Sequence, residues 1–466
     1  MKERETTNQD GTKRALSNRH VQMIAIGGTI GTGLFLGAGS TISKTGPSVM
    51  LVYLVLGLFF FFMMRAIGGE MFYSDPSQHT FVSFISRYLG AAVGHFTGWT
   101  YWIGLVFVCM AELTAVAAYV KFWFPAIPSW IVELVFLGGV LACVNLIAAR
   151  LFGEAEFWFA MIKIIAIIAL IVTGIFMMFS HSATPLGHAS VGNIFHDYTL
   201  FPHGTFNFIA AFPMVFFAFQ GIEFVSITIG EAKAPPHLII KKAVNETLVR
   251  ILLFYIGALV VIMGIIPWTS LSADSSPFVQ VFKLAGFPAA AAIINFVVLT
   301  SAASALNSCI FSAGRHFYQL ATEVPKESFM ARKFARISKS GVPAPAILLS
   351  AGLVLITPIM SLTNATTSVF TIVTGGASSD MYIIVYILAM LAHRKYRESN
   401  DFLPDGFKMP AYKITSPLTI AFFLIIFMSL FFIPEDIIGA VGAIAWTLIF
   451  GGAMYFHENA VSNEQI

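Results

Sequence analysis

The sequence predicts an all-α integral membrane protein with about twelve transmembrane helices. Of its 466 residues, 57% are hydrophobic and only 11% are charged, which is too apolar a balance for a water-soluble domain. Apolar runs of about twenty residues recur along the whole chain, and each is long enough to cross about 30 Å of hydrocarbon. Lysine and arginine collect in alternate connections between these runs, as they do in membrane proteins with basic cytoplasmic loops.

Twelve apolar segments are predicted to span the membrane. The first follows a polar tail and has no small-residue cleavage site after it, so we expect it to be retained rather than removed as a signal peptide. The predicted spans are 21–43, 48–73, 94–124, 127–147, 156–180, 205–230, 248–268, 288–313, 344–363, 366–392, 415–434 and 437–456.

The distribution of lysine and arginine orients the chain. One side receives the N-terminal tail and basic connections such as "EAKAPPHLIIKKAVNETLVR", whereas the other receives only Lys44, Lys121 and Lys283. Because cytoplasmic loops are the basic ones, both termini are expected in the cytoplasm. The basic residues are dispersed and form no basic face, so no nucleic-acid partner is expected.

Two predicted helix breaks suggest an inverted repeat. "GGTIGTG" interrupts the first span, and "AAFPMVFFAFQGIEF", with Pro213 and Gly221, interrupts the sixth. The breaks fall at corresponding positions of two sets of five spans, and because five is odd the second set must be inverted. The predicted parts are a cytoplasmic tail 1–16, a first repeat 17–180, an external loop 181–204, a second repeat 205–392, a cytoplasmic loop 393–414, a helix pair 415–456 and a cytoplasmic tail 457–466.

The glycines of the first break admit three interpretations. A dinucleotide fingerprint needs G-x-G-x-x-G between a strand and a helix, and the order of the glycines here does not fit it. Pairs such as Gly27 with Gly31, or Gly33 with Gly37, fit close helix packing. Glycines at 27, 28, 31 and 33 nevertheless surround the helix axis, which favours an unwound segment whose free N–H groups attract a carboxylate.

Five stretches of the chain match a known family. They are "LSNRHVQMIAIGGTIGTGLFLGAG", "HFTGWTYW", "FGEAEFWFAMIKIIAI", "VFFAFQGIEFVSITIGEAK" and "INFVVLTSAASALNS". From about Leu16 to Arg397 the chain resembles the amino acid transporter family of the amino acid–polyamine–organocation superfamily, in particular its transporters of D-serine, D-alanine and glycine. The resemblance implies a LeuT-like fold of five plus five inverted helices, broken in the first and sixth helices at the membrane midplane, in the cytoplasmic membrane of a prokaryote.

The resemblance also implies a central site between the two broken helices. The glycine motif, here Gly28 to Gly33, would bind a substrate carboxylate through backbone N–H groups and a hydroxyl of Thr29 or Thr32. Carbonyls near Ala25 to Gly27 and Phe217 to Gln220 would accept the substrate amine, and Phe217 would be an aromatic lid. The expected substrate-binding residues are Gly28, Thr29, Ile30, Gly31, Thr32, Gly33, Phe217, Phe219, Gln220, Gly221, Glu112 and Asn307.

Ionisable residues within the predicted spans are functional candidates, because a charge in the membrane is costly. Glu223 follows the second break, and is interpreted as a proton-coupling or gating group or as a structural tie to the broken helix. Lys163 is expected to couple transport to protons, since relatives with a lysine here use its ammonium where others bind sodium; permanent charge pairing is the alternative. Glu112 would face the site or pair with Asp380, and Asn307 would line the pathway or join helices.

The resemblance implies a secondary active amino acid permease that works by alternating access. We expect proton symport of glycine, alanine, serine or threonine of either hand. Permeases for aromatic, basic or broadly neutral amino acids, an exchanger, and a transporter-like nutrient sensor stay open as alternatives. The sequence has no nucleotide-binding loop, zinc-protease motif or catalytic triad, so no enzyme, metal or cofactor is expected. The expected partners are a free amino acid, protons and membrane lipid.

Overall fold

The computed structural model describes most of the chain as helix. The predicted tails 1–16 and 457–466 and the carbonyl of Ala25 lie outside the described residues. For residues 149–153, 155, 236–239, 367 and 376 the structure describes the backbone but not the side chains. The described residues are 23, 26–76, 78, 80–140, 149–196, 198–225, 236–273, 275–338, 342–363 and 366–456.

Helices account for nearly all regular structure in the described residues, which confirms the predicted all-α class. A two-stranded antiparallel ribbon, Ala183–Thr184 with Gly187–His188, lies in the predicted external loop. The α-helices are α1 (Thr32–Phe35), α2 (Gly37–Thr45), α3 (Val49–Met64), α4 (Phe72–Ser74), α5 (Phe81–Leu89), α6 (Ala91–Val120), α7 (Ser129–Val140), α8 (Ala149–Phe179), α9 (Gly192–Phe195), α10 (Gly204–Ile209), α11 (Phe212–Phe219), α12 (Pro236–Ile265), α13 (Pro277–Leu284), α14 (Pro288–Thr322), α15 (Phe329–Phe334), α16 (Ala344–Val354), α17 (Ile356–Met360), α18 (Thr366–Val373), α19 (Asp380–Glu398), α20 (Tyr412–Leu430) and α21 (Ile437–Trp446).

Short segments of other helical types join some of these helices. The 3₁₀ turns are Gly46–Ser48 and Trp268–Ser270. The π-helical turns are Arg65–Met71, Thr374–Ser379 and Thr447–Gly451. π-Helical turns are rare and occur frequently at functional sites.

Eight helical stretches in the described part of the chain are long and apolar enough to cross a membrane. Three shorter apolar helices, Ser129–Val140, Gly204–Phe219 and Ala344–Met360, overlap the predicted fourth, sixth and ninth spans. Twelve spans and an inverted repeat therefore stay predictions. The eight stretches are Gly37–Ser74, Ala91–Val120, Glu156–Phe179, Ile240–Ile265, Pro288–Thr322, Ser368–Glu398, Tyr412–Leu430 and Ile437–Phe456.

Helix α8 shows why these helices suit a lipid environment. Its buried face includes the two charged residues Glu156 and Lys163, seven residues apart. On the opposite face, large apolar side chains at the same spacing are exposed, and Phe179 is exposed to 84%. Charges inside and apolar groups outside are the arrangement expected of a helix that faces hydrocarbon. The exposed set is Trp158, Ile165, Val172 and Phe179.

Both helix breaks lie at the positions that the sequence predicts. The helical turn 26–29 stops at Ile30, and α1 starts again at Thr32 after Gly31 in an extended conformation. Helix α11 ends at Phe219, and Gly221 has a φ of +92°, which a residue with a side chain rarely adopts. Helices α6 and α14 pack against α1, α8 contacts the first break at Gly27, and the residues of both breaks are buried.

Candidate functional site

The two helix breaks touch each other through glycines. A Cβ atom added to Gly221 would lie 2.8 Å from the carbonyl oxygen of Gly28, and one added to Gly33 would collide with the backbone of Ala218. Backbones can approach this closely only where no side chain intervenes. The glycines that the sequence presents as helix breakers therefore also bring the two breaks into direct contact.

Tyr255 of α12 joins the carbonyl groups that the two breaks release. Its hydroxyl oxygen lies 2.6 Å from the carbonyl oxygen of Ala218 and 3.1 Å from that of Thr29, and its proton can be donated to either. The tyrosine is fully buried. The Thr29 carbonyl also accepts a hydrogen bond from the N–H of Gly31 at 2.9 Å. A buried carbonyl left without a donor is costly, so the shorter bond to Ala218 is the one through which this hydroxyl stabilises the second break. Sequence reasoning missed Tyr255.

Glu112 of α6 occupies the start of the helix that follows the first break. The N–H and the hydroxyl of Thr32 both donate to Oε1 of Glu112, at 3.2 Å and 3.1 Å. A Cβ atom on Gly31 would lie 2.5 Å from the same oxygen, so the carboxyl group fills the space that this glycine leaves. The Glu112 carboxyl group thus bonds to Thr32 rather than to Asp380. The Glu112 carboxyl group therefore occupies the position that is predicted for the substrate carboxylate.

Lys163 of α8 is attached to the first break from the other side. Its ammonium nitrogen donates to the carbonyl oxygen of Gly27 at 2.6 Å, and the side chain is buried. Glu156, two helical turns earlier on the same face, and Glu112 both interact electrostatically with it. The buried charge is therefore compensated by two carboxyl groups and a freed carbonyl, as an intramembrane lysine requires.

Helix α14 contributes a polar face between the first break and α8. Ser301 donates to the carbonyl oxygen of Ile30 at 3.3 Å, while Ser304 and Asn307 donate to the two carboxylate oxygens of Glu156 at 3.0 Å and 3.2 Å. Residues three and six apart share one side of a helix. Asn307 thus has a helix-joining contact, and Glu156 was missed. The sequence offered one signal for Glu156: it lies seven residues before Lys163, so the two charged side chains share one face of the helix.

Glu223 ties the second break to two other helices. Oε2 accepts hydrogen bonds from the N–H of Gly221 at 3.0 Å and from the hydroxyl of Tyr386 at 2.8 Å. Oε1 accepts one from the hydroxyl of Tyr101 at 3.0 Å. The side chain is buried. This geometry matches the structural tie that was the alternative interpretation, and it also puts a titratable group within the break.

Three other predicted residues lie along the second break. Gln220 accepts a hydrogen bond from the hydroxyl of Ser378 at 2.6 Å. Phe217 packs edge-on against Phe370, with ring centroids 6.2 Å apart. Phe219 stacks on Phe60 at 5.0 Å within a buried aromatic cluster. In the part of the chain that the structure describes, no three His, Cys, Asp or Glu side chains are grouped to hold a metal ion.

Comparison with known proteins assigns the family. The sequence model described as amino acid permease matches residues 20–457. The chain is 47% identical over 454 residues to the DL-alanine permease SerP2 of Lactococcus lactis subsp. cremoris (strain MG1363), which covers 97% of each protein. It is 47% identical over 453 residues to the serine permease SerP1 of the same strain, covering 96% of this chain and 97% of the relative.

A further relative comes from Escherichia coli (strain K12). Its D-serine/D-alanine/glycine transporter is 42% identical over 422 residues, which is 90% of this chain and 88% of the relative. These proteins are transporters and not enzymes, and their similarity extends over both breaks and all the helices around them. The chain therefore belongs to the amino acid permease family of the amino acid–polyamine–organocation superfamily, and it is an integral plasma membrane protein that transports amino acids.

Proposed function

We propose that this permease imports small neutral amino acids together with protons by alternating access. The expected substrates are glycine, alanine, serine and threonine, of either hand. The observation that carries the proposal is the contact between the two breaks at Gly28 and Gly221. The contact brings backbone N–H and C=O groups of both broken helices together in the interior. A zwitterionic amino acid requires both, because its carboxylate needs donors and its ammonium group needs acceptors.

The carboxylate of the substrate is assigned to the first break. Thr32 offers an N–H and a hydroxyl there, both of which point at Oε1 of Glu112. A substrate carboxylate takes these donors when the Glu112 side chain moves away. The other residues of the first break complete this carboxylate site; they are Gly28, Ile30, Gly31 and Gly33, with Thr29 beside them.

The ammonium group is assigned to carbonyl oxygens at the junction. Those of Gly27, Thr29 and Ala218 now accept hydrogen bonds from Lys163 and Tyr255. An ammonium group donates three hydrogen bonds and can take over such acceptors. Phe217 and Gln220 flank this position from the second break.

The crowding around the glycines favours small substrates. A Cβ atom on Gly28 would lie 2.7 Å from the ring of Phe224, and one on Gly31 would meet Glu112. The relatives named above are called serine, DL-alanine and D-serine/D-alanine/glycine transporters, which supports the same size class. Serine and alanine of both hands are therefore the first substrates to test.

Lys163 and Glu223 are assigned to proton coupling. Each is buried and bonded to a different break, Lys163 at Gly27 and Glu223 at Gly221. A change in the charge of either group alters how firmly its break is held. The proposal further includes twelve spans in a five-plus-five inverted repeat, with both termini in the cytoplasm.

Uptake into proteoliposomes tests the proposal. Labelled glycine, alanine, serine and threonine of both hands, together with phenylalanine, lysine and glutamate, are compared with and without an inward proton gradient. We expect the small neutral amino acids to accumulate, and only with the gradient. Uptake that ignores the gradient contradicts symport and favours an exchanger. Preferred uptake of phenylalanine or lysine contradicts the substrate class, and uptake of no amino acid favours a sensor.

A further inference from the structure

A buried glutamate near the end of the apolar stretch that contains α3 joins three parts of the chain. Glu70 lies in the π-helical turn Arg65–Met71 and is 2% exposed. Its Oε2 accepts hydrogen bonds from Nη2 of Arg397 and from the N–H of Met409, each at 2.9 Å. Nε2 of His393 lies 3.1 Å from the same oxygen. One carboxylate of the π-helical turn therefore binds both α19 and the connection that follows it.

The buried charge of Glu70 is compensated from outside its own helix. Nε of Arg397 lies 2.5 Å from Oε1, so the guanidinium group contacts both carboxylate oxygens. Arginine and a carboxylate in this arrangement bind strongly, whereas either one left alone in the interior is costly. The turn Arg65–Met71 is therefore stable in its present surroundings only while α19 stays against it.

The connection from α19 to α20, residues 399–411, packs on the same π-helical turn, and we call it the strap. Nε and Nη2 of Arg65 donate to the carbonyl oxygen of Lys408 at 3.1 Å and 2.8 Å. The same guanidinium group lies over the ring of Phe407, 4.3 Å from its centroid. A Cβ atom on Gly69 would collide with that ring, so the glycine makes room for a buried phenylalanine of the strap.

The strap also contacts α5, but through groups that are open to solvent. Oδ2 of Asp401 accepts a hydrogen bond from the hydroxyl of Tyr88 at 2.9 Å and pairs with Nη2 of Arg87 at 2.9 Å. The side chains of this ion pair are exposed to 45% and 42%. Exposed pairs contribute little to stability. The buried contacts at Glu70 and Phe407 therefore hold the strap more firmly than those at Asp401.

The two helices that Glu70 joins both contact the second break. Phe60 of α3, in the same continuous helical stretch as Glu70, stacks on Phe219 with ring centroids 5.0 Å apart. Tyr386 of α19 donates to Oε2 of Glu223 at 2.8 Å. It lies about two helical turns before the histidine that contacts Glu70, on the same face of α19. If α19 parts from the π-helical turn, the packing on both sides of the second break therefore changes.

We propose that Glu70 is a positioning residue for transport: it latches α19 and the strap onto the turn Arg65–Met71, and this latch opens and closes in each transport cycle. The structure shows the closed latch. On opening, Arg397 leaves Glu70 and Phe407 leaves Gly69. Because the turn lies at the end of its apolar stretch, water can solvate both charges when they separate. The place of the latch in the cycle rests on the proposed alternating access, whereas the latch itself does not.

Thiol labelling of the full-length protein in lipid nanodiscs tests the latch without a transport step. Met409→Cys places a thiol at a buried position of the strap, next to Glu70. A buried thiol reacts with a water-soluble maleimide mainly in molecules that have opened locally, so its labelling rate reports the open fraction. Ile433→Cys, at a buried position in the connection between α20 and α21, is the matched reporter outside the latch. Protein without an added cysteine gives the background.

Glu70→Gln removes the charge that holds the latch. We expect it to raise the labelling rate of Met409→Cys by about tenfold or more, because bonds to a charged acceptor become bonds to a neutral one. Labelling of Ile433→Cys should not change, and neither should Glu398→Gln, at an exposed acid of α19, affect either reporter. Arg397→Lys keeps the charge but loses the fork of donors, so it should give a smaller rise.

The labelling rates decide whether the latch exists. A rate for Met409→Cys that stays unchanged in Glu70→Gln overturns the latch. Equal acceleration of both reporters also overturns it, since that result indicates general loosening of the fold. If Glu70→Gln does not fold, Arg397→Lys decides by the same two criteria.

Transport kinetics test the place of the latch in the cycle. A latch that stays open slows the return of the carrier, so Glu70→Gln should lower the maximal rate of alanine counterflow about fivefold without changing the Kd for alanine. A purely structural defect would lower the amount of binding-competent protein and the rate together. An unchanged maximal rate, or a loss of rate that only matches a loss of binding sites, overturns this role. Counterflow of no amino acid in the wild type contradicts the proposed function instead, and the labelling rates still decide the latch.

Discussion

The ammonium group of Lys163 donates a hydrogen bond of 2.6 Å to the carbonyl oxygen of Gly27. This contact joins a buried charge on α8 to the backbone just before the first break. Glu156 and Glu112 compensate the charge from two other directions. If the substrate binds at the break as proposed, this one carbonyl group links it to the ammonium group of Lys163, which makes Lys163 the most direct candidate for coupling.

Replacing this lysine should separate substrate exchange from accumulation. Lys163→Met keeps the length of the side chain but removes its charge and its donor. We expect gradient-driven alanine uptake to fall to the level seen without a gradient, while alanine counterflow persists. Lys326→Met, at an exposed lysine, is the matched control and should behave as the wild type. Retained accumulation in Lys163→Met would remove Lys163 from the coupling mechanism.

Replacing Tyr255 should weaken the second break. Tyr255→Phe keeps the ring but leaves the carbonyl of Ala218 without this donor, whereas the carbonyl of Thr29 keeps the N–H of Gly31. An unsatisfied buried group costs about 1–3 kcal/mol, so the free energy of unfolding should drop by that amount. Thermal unfolding monitored by size-exclusion chromatography measures the effect, with the exposed Tyr455→Phe as control. Equal stability of the two variants contradicts the bridging role.

Neutralising Glu112 should tighten substrate binding. Thr32 donates its N–H and its hydroxyl to the carboxyl group of Glu112, so under the proposed function the substrate carboxylate must compete with Glu112 for these two donors. Hydrogen bonds to a charged acceptor contribute about 1 kcal/mol more than those to a neutral one, so Glu112→Gln should lower the Kd for alanine by about fivefold. Equilibrium binding to purified protein measures this, with the exposed Glu327→Gln as control. Weaker binding in Glu112→Gln would mean that Glu112 attracts the substrate rather than competing with it.

A methyl group between the two breaks should abolish transport. Gly33→Ala places a Cβ atom against the backbone of Ala218, and backbone atoms cannot move aside as a flexible side chain does. We expect loss of alanine counterflow and lower thermal stability. Gly442→Ala, at a helical glycine with nothing within 4 Å of the added atom, is the control and should retain both. Normal counterflow in Gly33→Ala would show that the breaks do not need to touch.

The sequence predicts the positions of both breaks because glycine and proline act locally on the backbone. It also identifies Lys163 and Glu223, since a charge inside an apolar segment is conspicuous. Tyr255 escapes prediction because its two acceptors lie 226 and 37 residues away in the chain. A tyrosine in an apolar helix has no local feature that distinguishes a structural bond from simple packing.

The partner of Glu112 illustrates the same limit. Asp380 and the site itself were both reasonable expectations, because any buried carboxyl group needs a donor. The donors are the hydroxyl of Thr32 and its N–H, and the N–H is available because the first break interrupts the helix before it. The sequence predicts that N–H groups at a helix break lack a partner within the helix. Only the packing of α6 against the break shows which side chain accepts from them.

Simultaneous measurement of alanine and proton movement tests the central claim most directly. Proteoliposomes that contain a pH-sensitive dye receive labelled alanine on the outside, with no proton gradient imposed. Proton symport at the paired breaks predicts that the lumen acidifies as alanine enters, and that neither signal occurs with Gly33→Ala. Alanine entry without acidification would contradict the account.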